Sequence, residues 1–265
     1  MTGPDNTRGG GGQDDVAIAT SPSTPHAAKS PPAPPPAPSP LDRAFLTDQA
    51  GVTTLILVRH GQQRWPTGPN PAASEWVAPP LSDTGVRQAE LVGLALAGGE
   101  LDGVYSSHLE RAHQTGLQIG RHHAMTPTVF EELREVEMYR DVPAGKSVRD
   151  VISPPMLRGI QERFVRERCW DVYPFTETSA ELRHRVVNAI EGILTMHAGG
   201  RIVVACHGGV INAYIGHVLG LEVDMFFRPA HASVSRVLVG DFRRVVLSLN
   251  EVHHLAEVDP ALVTF

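Results

Sequence analysis

The stretches Thr53-Thr54-Leu55-Ile56-Leu57-Val58-Arg59-His60-Gly61 and Arg201-Ile202-Val203-Val204-Ala205-Cys206-His207-Gly208-Gly209 decide how this chain folds. Each holds a compact run of β-branched and other apolar residues, the composition of a strand covered on both faces in a parallel sheet. Each closes on histidine and glycine. Ligands of open parallel sheets bind at the carboxyl ends of strands, so His60 and His207 face one crevice if their strands are neighbours. Gly61, Gly208 and Gly209 let a ligand approach the backbone. The residues after His207 also start a helix, whose free N–H groups favour an anion. A single histidine at a strand end is more often structural than reactive. Two in matching context point to chemistry.

Working outward, short apolar runs alternate with longer amphipathic ones, the pattern of an α/β domain. A helix is expected after Leu81-Ser82-Asp83, capped by Ser82 or Asp83, with Val86, Ala89, Val92, Leu94 and Leu96 on one broad apolar face and a stop at Gly98-Gly99. Val104-Tyr105 reads as a short strand, and Ser106 or Ser107 as the cap of a helix carrying Leu109, Ala112, Leu117 and Ile119. Val129-Phe130 suggests a strand leading toward the crevice. Thr178 and Glu181 have capping-box spacing ahead of a helix over Leu182 to His197. Val234 to Val239 and Val245 to Leu249, separated by Gly240-Asp241, read as a closing hairpin. The expected architecture is therefore α/β: an open, mostly parallel sheet flanked by helices, over residues 46–265.

Upstream, residues 1–45 hold ten of the 22 prolines and five of the 25 glycines. Such a segment buries too little apolar surface to offset its ordering entropy and is expected to be a disordered tail. Its run SPPAPPPAPSP, residues 30–40, favours extended polyproline II and serves as a spacer, or less readily as a ligand for a proline-binding partner.

A formal net charge of −6 gives the chain no global positive field for nucleic acid or an anionic membrane. Any anion must be captured locally. Two cysteines without close pairing, Cys169 and Cys206, and no secretory leader suit the reducing cytoplasm, with no disulfide. No apolar run approaches the roughly 20 residues of a membrane span. Histidines at adjacent positions, such as His122-His123 and His253-His254, carry no metal-ligand spacing. Arg59 beside His60, and Arg111 on the helix after Ser106-Ser107, offer planar forks that match a phosphate bidentately.

Leu57-Val58-Arg59-His60-Gly61-Gln62, Leu81-Ser82-Asp83-Thr84-Gly85, Tyr105-Ser106-Ser107-His108-Leu109-Glu110-Arg111-Ala112, Leu133-Arg134-Glu135 and His207-Gly208-Gly209-Val210-Ile211 follow one another in an order that resembles the histidine phosphatase superfamily, the phosphoglycerate-mutase-like fold. The resemblance spans residue 53 to about 240. It implies that His60 is the nucleophile that accepts a phosphoryl group. Arg59, Arg111 and His207 would hold the phosphoryl oxygens, with Gln62 and Gly208 beside them. Glu135 would be the acid that protonates the leaving oxygen and then deprotonates water. No metal and no cofactor are implied, and the substrate is a small phosphorylated molecule.

The chain departs from the family pattern at Gln63, where a hydroxyl residue is usual, and at Pro66, where asparagine follows the tryptophan; one phosphate-facing donor is expected to be missing. His231, in Pro229-Ala230-His231-Ala232-Ser233, stands where relatives often carry asparagine, as a substrate contact or a structural residue. The helical, Pro-punctuated segment Met138 to Phe175 is expected to cap the crevice, and it and the loop Thr67 to Pro79 to set substrate choice. A phosphatase is the leading function. A phosphoglycerate-type mutase would need its phosphohistidine kept from water, and only 71 residues separate Glu135 from His207, fewer than a mutase insertion there would give. A noncatalytic phosphoryl-binding regulator is the third reading.

Overall fold

A computed structural model describes residues 37–47, 50–65, 67, 77–143 and 146–265. Pro66, most of the loop Thr67 to Pro79 and the tail up to residue 36 lie outside the described residues. Along the chain come α1 (Pro40–Phe45), β1 (Thr53–Arg59), α2 (Asp83–Ala95), β2 (Gly103–Ser107), α3 (Glu110–Gly120), β3 (Thr128–Phe130), α4 (Val148–Val151), α5 (Pro154–Glu167), α6 (Ser179–Thr195), β4 (Arg201–Cys206), α7 (Gly208–Leu219), β5 (Val234–Val239), β6 (Arg244–Glu251) and α8 (His253–Ala256).

Six strands form one sheet in the order β3-β2-β4-β1-β5-β6. The first four run parallel, while β5 and β6 are antiparallel additions. β1 and β4 are direct neighbours, with Arg59 opposite Cys206, so the two His-Gly corners emerge side by side. Side chains alternate across a strand, and β1 uses both faces. Leu55 and Leu57 pack with Leu182, Val186 and Ile190 of α6 and Val210 and Tyr214 of α7. Ile56 and Val58 pack on the other side with Leu91, Val92 and Leu96 and with Ile119 of α3. Being buried on both faces is why these strands are apolar throughout.

Ser82 caps α2, accepting from the Gly85 amide at 3.1 Å. The buried face of α2 differs from expectation: Val86 and Leu94 are exposed, and Gly85, Gln88, Ala89, Val92 and Gly93 turn inward. Small residues let the helix press close to its neighbours, for a Cβ at Gly93 would sit 2.4 Å from the carbonyl oxygen of Gln118 on α3. Neither Ser106 nor Ser107 caps α3. Its N-cap is Leu109, and the Ser107 hydroxyl accepts from the Leu109 amide at 3.2 Å, one step short of the helix. Leu117 is exposed. Thr178 and Glu181 do form the expected capping box at the start of α6.

Residues 38–45, expected as part of the tail, are built into the domain. Residues 38–265 form one compact unit. Pro40–Phe45 is helical, closed by a Ser39/Asp42 capping box, and Arg243 donates to the Ala44 carbonyl. Leu46 then packs against Gly240 at the β5–β6 turn. Between Glu135 and α6, Ile152, Ile160 and Val172 gather Tyr139, Phe164 and Tyr173 into a separate small cluster. Among the described residues no helix is long and apolar enough to cross a membrane.

Candidate active site

His60 follows the last residue of β1, and its backbone is held from both sides. Its amide donates to the Cys206 carbonyl at 2.9 Å and its carbonyl accepts from Ala232 at 3.2 Å. The next residue must be glycine, because a Cβ at Gly61 would lie 2.3 Å from the Gly85 carbonyl oxygen. The ring is buried. Its Nδ1 lies 2.7 Å from the Gly61 carbonyl, which can only accept, so Nδ1 carries the proton. Nε2 is left as a lone-pair nitrogen and accepts from Arg111 Nε at 3.2 Å. Burial, then Arg111, His207 and Arg59, hold its pKa well below the usual histidine value.

His207 follows β4 as the N-cap of α7, its ring centroid 5.0 Å from that of His60. It is fully buried, and among the described residues neither ring nitrogen has a hydrogen-bond partner. Buried polar atoms are normally satisfied, so these are groups awaiting one. Arg59 Nε is a third. The other end of the Arg59 guanidinium is anchored on the Pro229 carbonyl. Burial lowers the Arg59 pKa to about 10, which leaves it charged at neutral pH. Arg111 is buried too and is steadied by the Val77 carbonyl at 3.0 Å.

Glu135 leaves a short 3₁₀ turn after β3, as the Val129-Phe130 strand suggested. Its carboxylate sits on the free N-terminus of α7, accepting from the Gly209 amide at 3.1 and 3.2 Å. A Cβ on Gly208 would lie 3.8 Å from Arg59 Nε and 3.9 Å from Glu135 Oε2. The space in front of Gly208 is therefore flanked by an unpaired cationic donor on one side and an acid on the other.

Gln62 is placed differently from the other candidates. Its side-chain carbonyl accepts from the Ser82 hydroxyl at 2.8 Å, and its amide donates to Gln88 Oε1 at 2.7 Å, so it ties the corner to α2. Gln63 pairs its backbone with Leu81. His231 does join the site, its ring centroid 5.8 Å from that of His60. Thr264 Oγ1 lies 2.9 Å from its Nδ1, and burial followed by Arg59 and Arg228 lowers its pKa to about 3. Among the described residues no group of three or more His, Cys, Asp or Glu side chains is placed to hold a metal ion.

Arg185 was not singled out by the sequence. It spends all five donors: Nε and Nη2 on the Glu177 carboxylate, at 2.5 and 2.6 Å, Nη1 on the carbonyls of Glu132 and Arg134, and Nη2 again on the carbonyl of Glu135. Glu177 is itself buried and accepts from the Glu137 amide. This pair staples the segment carrying Glu135 to α6. The only trace of it in the sequence is one more arginine on a charged helix.

A family model described as the histidine phosphatase superfamily, branch 1, matches residues 55–252. Phosphoserine phosphatase 1 of Hydrogenobacter thermophilus is 31% identical over 209 residues, 77% of this chain and 94% of that protein. A metal-independent phosphoserine phosphatase of Arabidopsis thaliana is 26% identical over 211 residues, 79% of this chain and 86% of that protein. Among solved structures, a mycobacterial glucosyl-3-phosphoglycerate phosphatase superposes with a TM-score of 0.61 at 20% identity, covering 76% of this chain and all of that one, a likeness of fold.

Proposed function

This chain belongs to the histidine phosphatase superfamily as a phosphoric monoester hydrolase, and from that premise we propose that it works through a phosphohistidine on His60, without a metal. The observation that carries the reading is the protonation of His60: Nδ1–H on the Gly61 carbonyl and an unprotonated Nε2 facing the guanidinium of Arg111. Nε2 attacks phosphorus, the bond to the leaving oxygen breaks, and Glu135 gives that oxygen its proton. Water then attacks the phosphohistidine, Glu135 takes back a proton, and inorganic phosphate leaves with His60 restored. Arg59, Arg111 and His207 hold the phosphoryl oxygens, and the unpaired donors of Arg59 and His207 are the groups that would meet them. Donors fixed in advance need no reorganisation when charge develops. His231 and the Gly208 backbone border the same space, while Gln62 supports the corner from behind.

The substrate is a small phosphomonoester, in keeping with the phosphoserine phosphatases among the relatives. Two free cysteines are compatible with a cytoplasmic setting. The mutase reading is weaker, given the short segment between Glu135 and His207. Quenching a turning-over reaction in base, where phosphohistidine survives, should give mass-spectrometric label on the His60 peptide. His60→Ala should lose both label and turnover of p-nitrophenyl phosphate while keeping its circular dichroism. Label on another residue, or turnover retained by the variant, would refute the assignment.

A further inference from the structure

Residues 227–229 border the phosphate site and are fixed to it at both ends. Phe227 donates to and accepts from the Asn212 carboxamide, which also binds the Gly208 carbonyl, and the Pro229 carbonyl accepts from Arg59. Arg228 stands between these anchors with its side chain exposed. Its guanidinium lies 5.5 Å from the centroid of the Phe265 ring, and the neighbouring Thr264 bonds His231 inside the site. Stacking of this kind orients a cation without neutralising it. Among the described residues Arg228 forms no ion pair, whereas Arg134, Arg140 and Arg185, around Glu135, are all matched by carboxylates. Its charge is felt at both Arg59 and His231.

A cation at the mouth of a phosphate pocket, held in place and unmatched, is complementary to a second anion on the substrate. A carboxylate, with one negative charge on two coplanar oxygens, is matched charge for charge by a single guanidinium fork. We propose that Arg228 is a specificity-determining residue that binds a carboxylate on the leaving alcohol, so that the enzyme selects phosphorylated hydroxy or amino acids over phosphomonoesters whose alcohol lacks a carboxylate. This rests on the phosphatase reading above and names its substrate class.

Matched pairs of substrates test it. O-phosphoserine differs from phosphoethanolamine, and 3-phosphoglycerate from glycerol 3-phosphate, essentially by the carboxylate. The wild type should favour the carboxylate member of at least one pair by about tenfold or more in kcat/KM, the worth of a charge-assisted hydrogen bond. Arg228→Gln should collapse that ratio through KM, and Arg228→Lys, which keeps charge without the fork, should restore part of it. Because each ratio is internal to one preparation, loss of folded protein cancels. A wild-type ratio near one in both pairs, or a ratio that survives Arg228→Gln, would overturn the proposal. Failure to hydrolyse even p-nitrophenyl phosphate would instead strike the phosphatase reading itself.

Discussion

The ring of His60 is fixed from two sides: the Gly61 carbonyl at Nδ1 sets which nitrogen carries the proton, and the Arg111 guanidinium at Nε2 disfavours a second one. With its pKa held well below the usual value, mainly by burial, His60 is unprotonated at neutral pH, as the proposed nucleophile must be. Glu135 is distinguishable from it by leaving group. Glu135→Gln should slow hydrolysis of a serine or sugar phosphate by roughly 10² to 10⁴, the usual worth of general acid catalysis, and slow p-nitrophenyl phosphate far less, since nitrophenolate departs unaided. Equal losses on both substrates would leave Glu135 a positioning role only. His60, His207, Arg59 and Arg111 were legible in the sequence because each stands in or next to a motif segment of fixed composition. The surroundings of Gln62 were not. Its side chain could turn toward the pocket or toward Ser82, and only the approach of α2, forced by Gly61 and Gly85, decides for Ser82.

At the level of elements, β1 and β4 declared themselves because strands buried on both faces leave little room for polar residues. The capping box of α6 was equally plain, since it is local in sequence. What escaped was anything set by how closely elements approach. The inward face of α2 is lined by glycine and alanine as well as large residues, so a search for large apolar side chains selected Val86 and Leu94, which point outward. Arg185 escaped for a related reason: its partner carbonyls lie some fifty residues earlier, and no periodicity encodes them. Arg185→Lys keeps a charge beside Glu177 but replaces five donors with three. The expected result is a fall of about tenfold or more in kcat on poor leaving groups, with KM little changed and a smaller effect on p-nitrophenyl phosphate. A loss of the same size on every substrate would mean that Arg185 supports only the fold.

For the molecule as a whole, the site stores a pH liability. His60, His207 and His231 are buried with lowered pKa values, that of His231 about 3, while the same residues in the unfolded chain titrate near 6.5. Above that pH both states carry them neutral. Below it only the unfolded chain takes up the protons, so stability present at pH 7.5 is lost as pH falls toward the folded values, by about 1.4 kcal/mol per pH unit for each residue. The melting temperature should drop by several degrees between pH 7.5 and 5.5, a window above most carboxylate titration, and inorganic phosphate should recover part of the loss by binding only the folded site. A melting temperature flat across that window would mean that the three rings charge in place. The strand order has a consequence in time as well. β1 leaves the ribosome well before the strands on either side of it, Arg201–Cys206 and Val234–Val239. Until Arg201 emerges, His60 rides on an apolar strand with no partner on either side, in the long-range pairing that folds slowly and tempts aggregation. A nascent chain stalled before Arg201 therefore lacks the His207 corner that the proposed site requires, and it exposes a segment that a chaperone would bind.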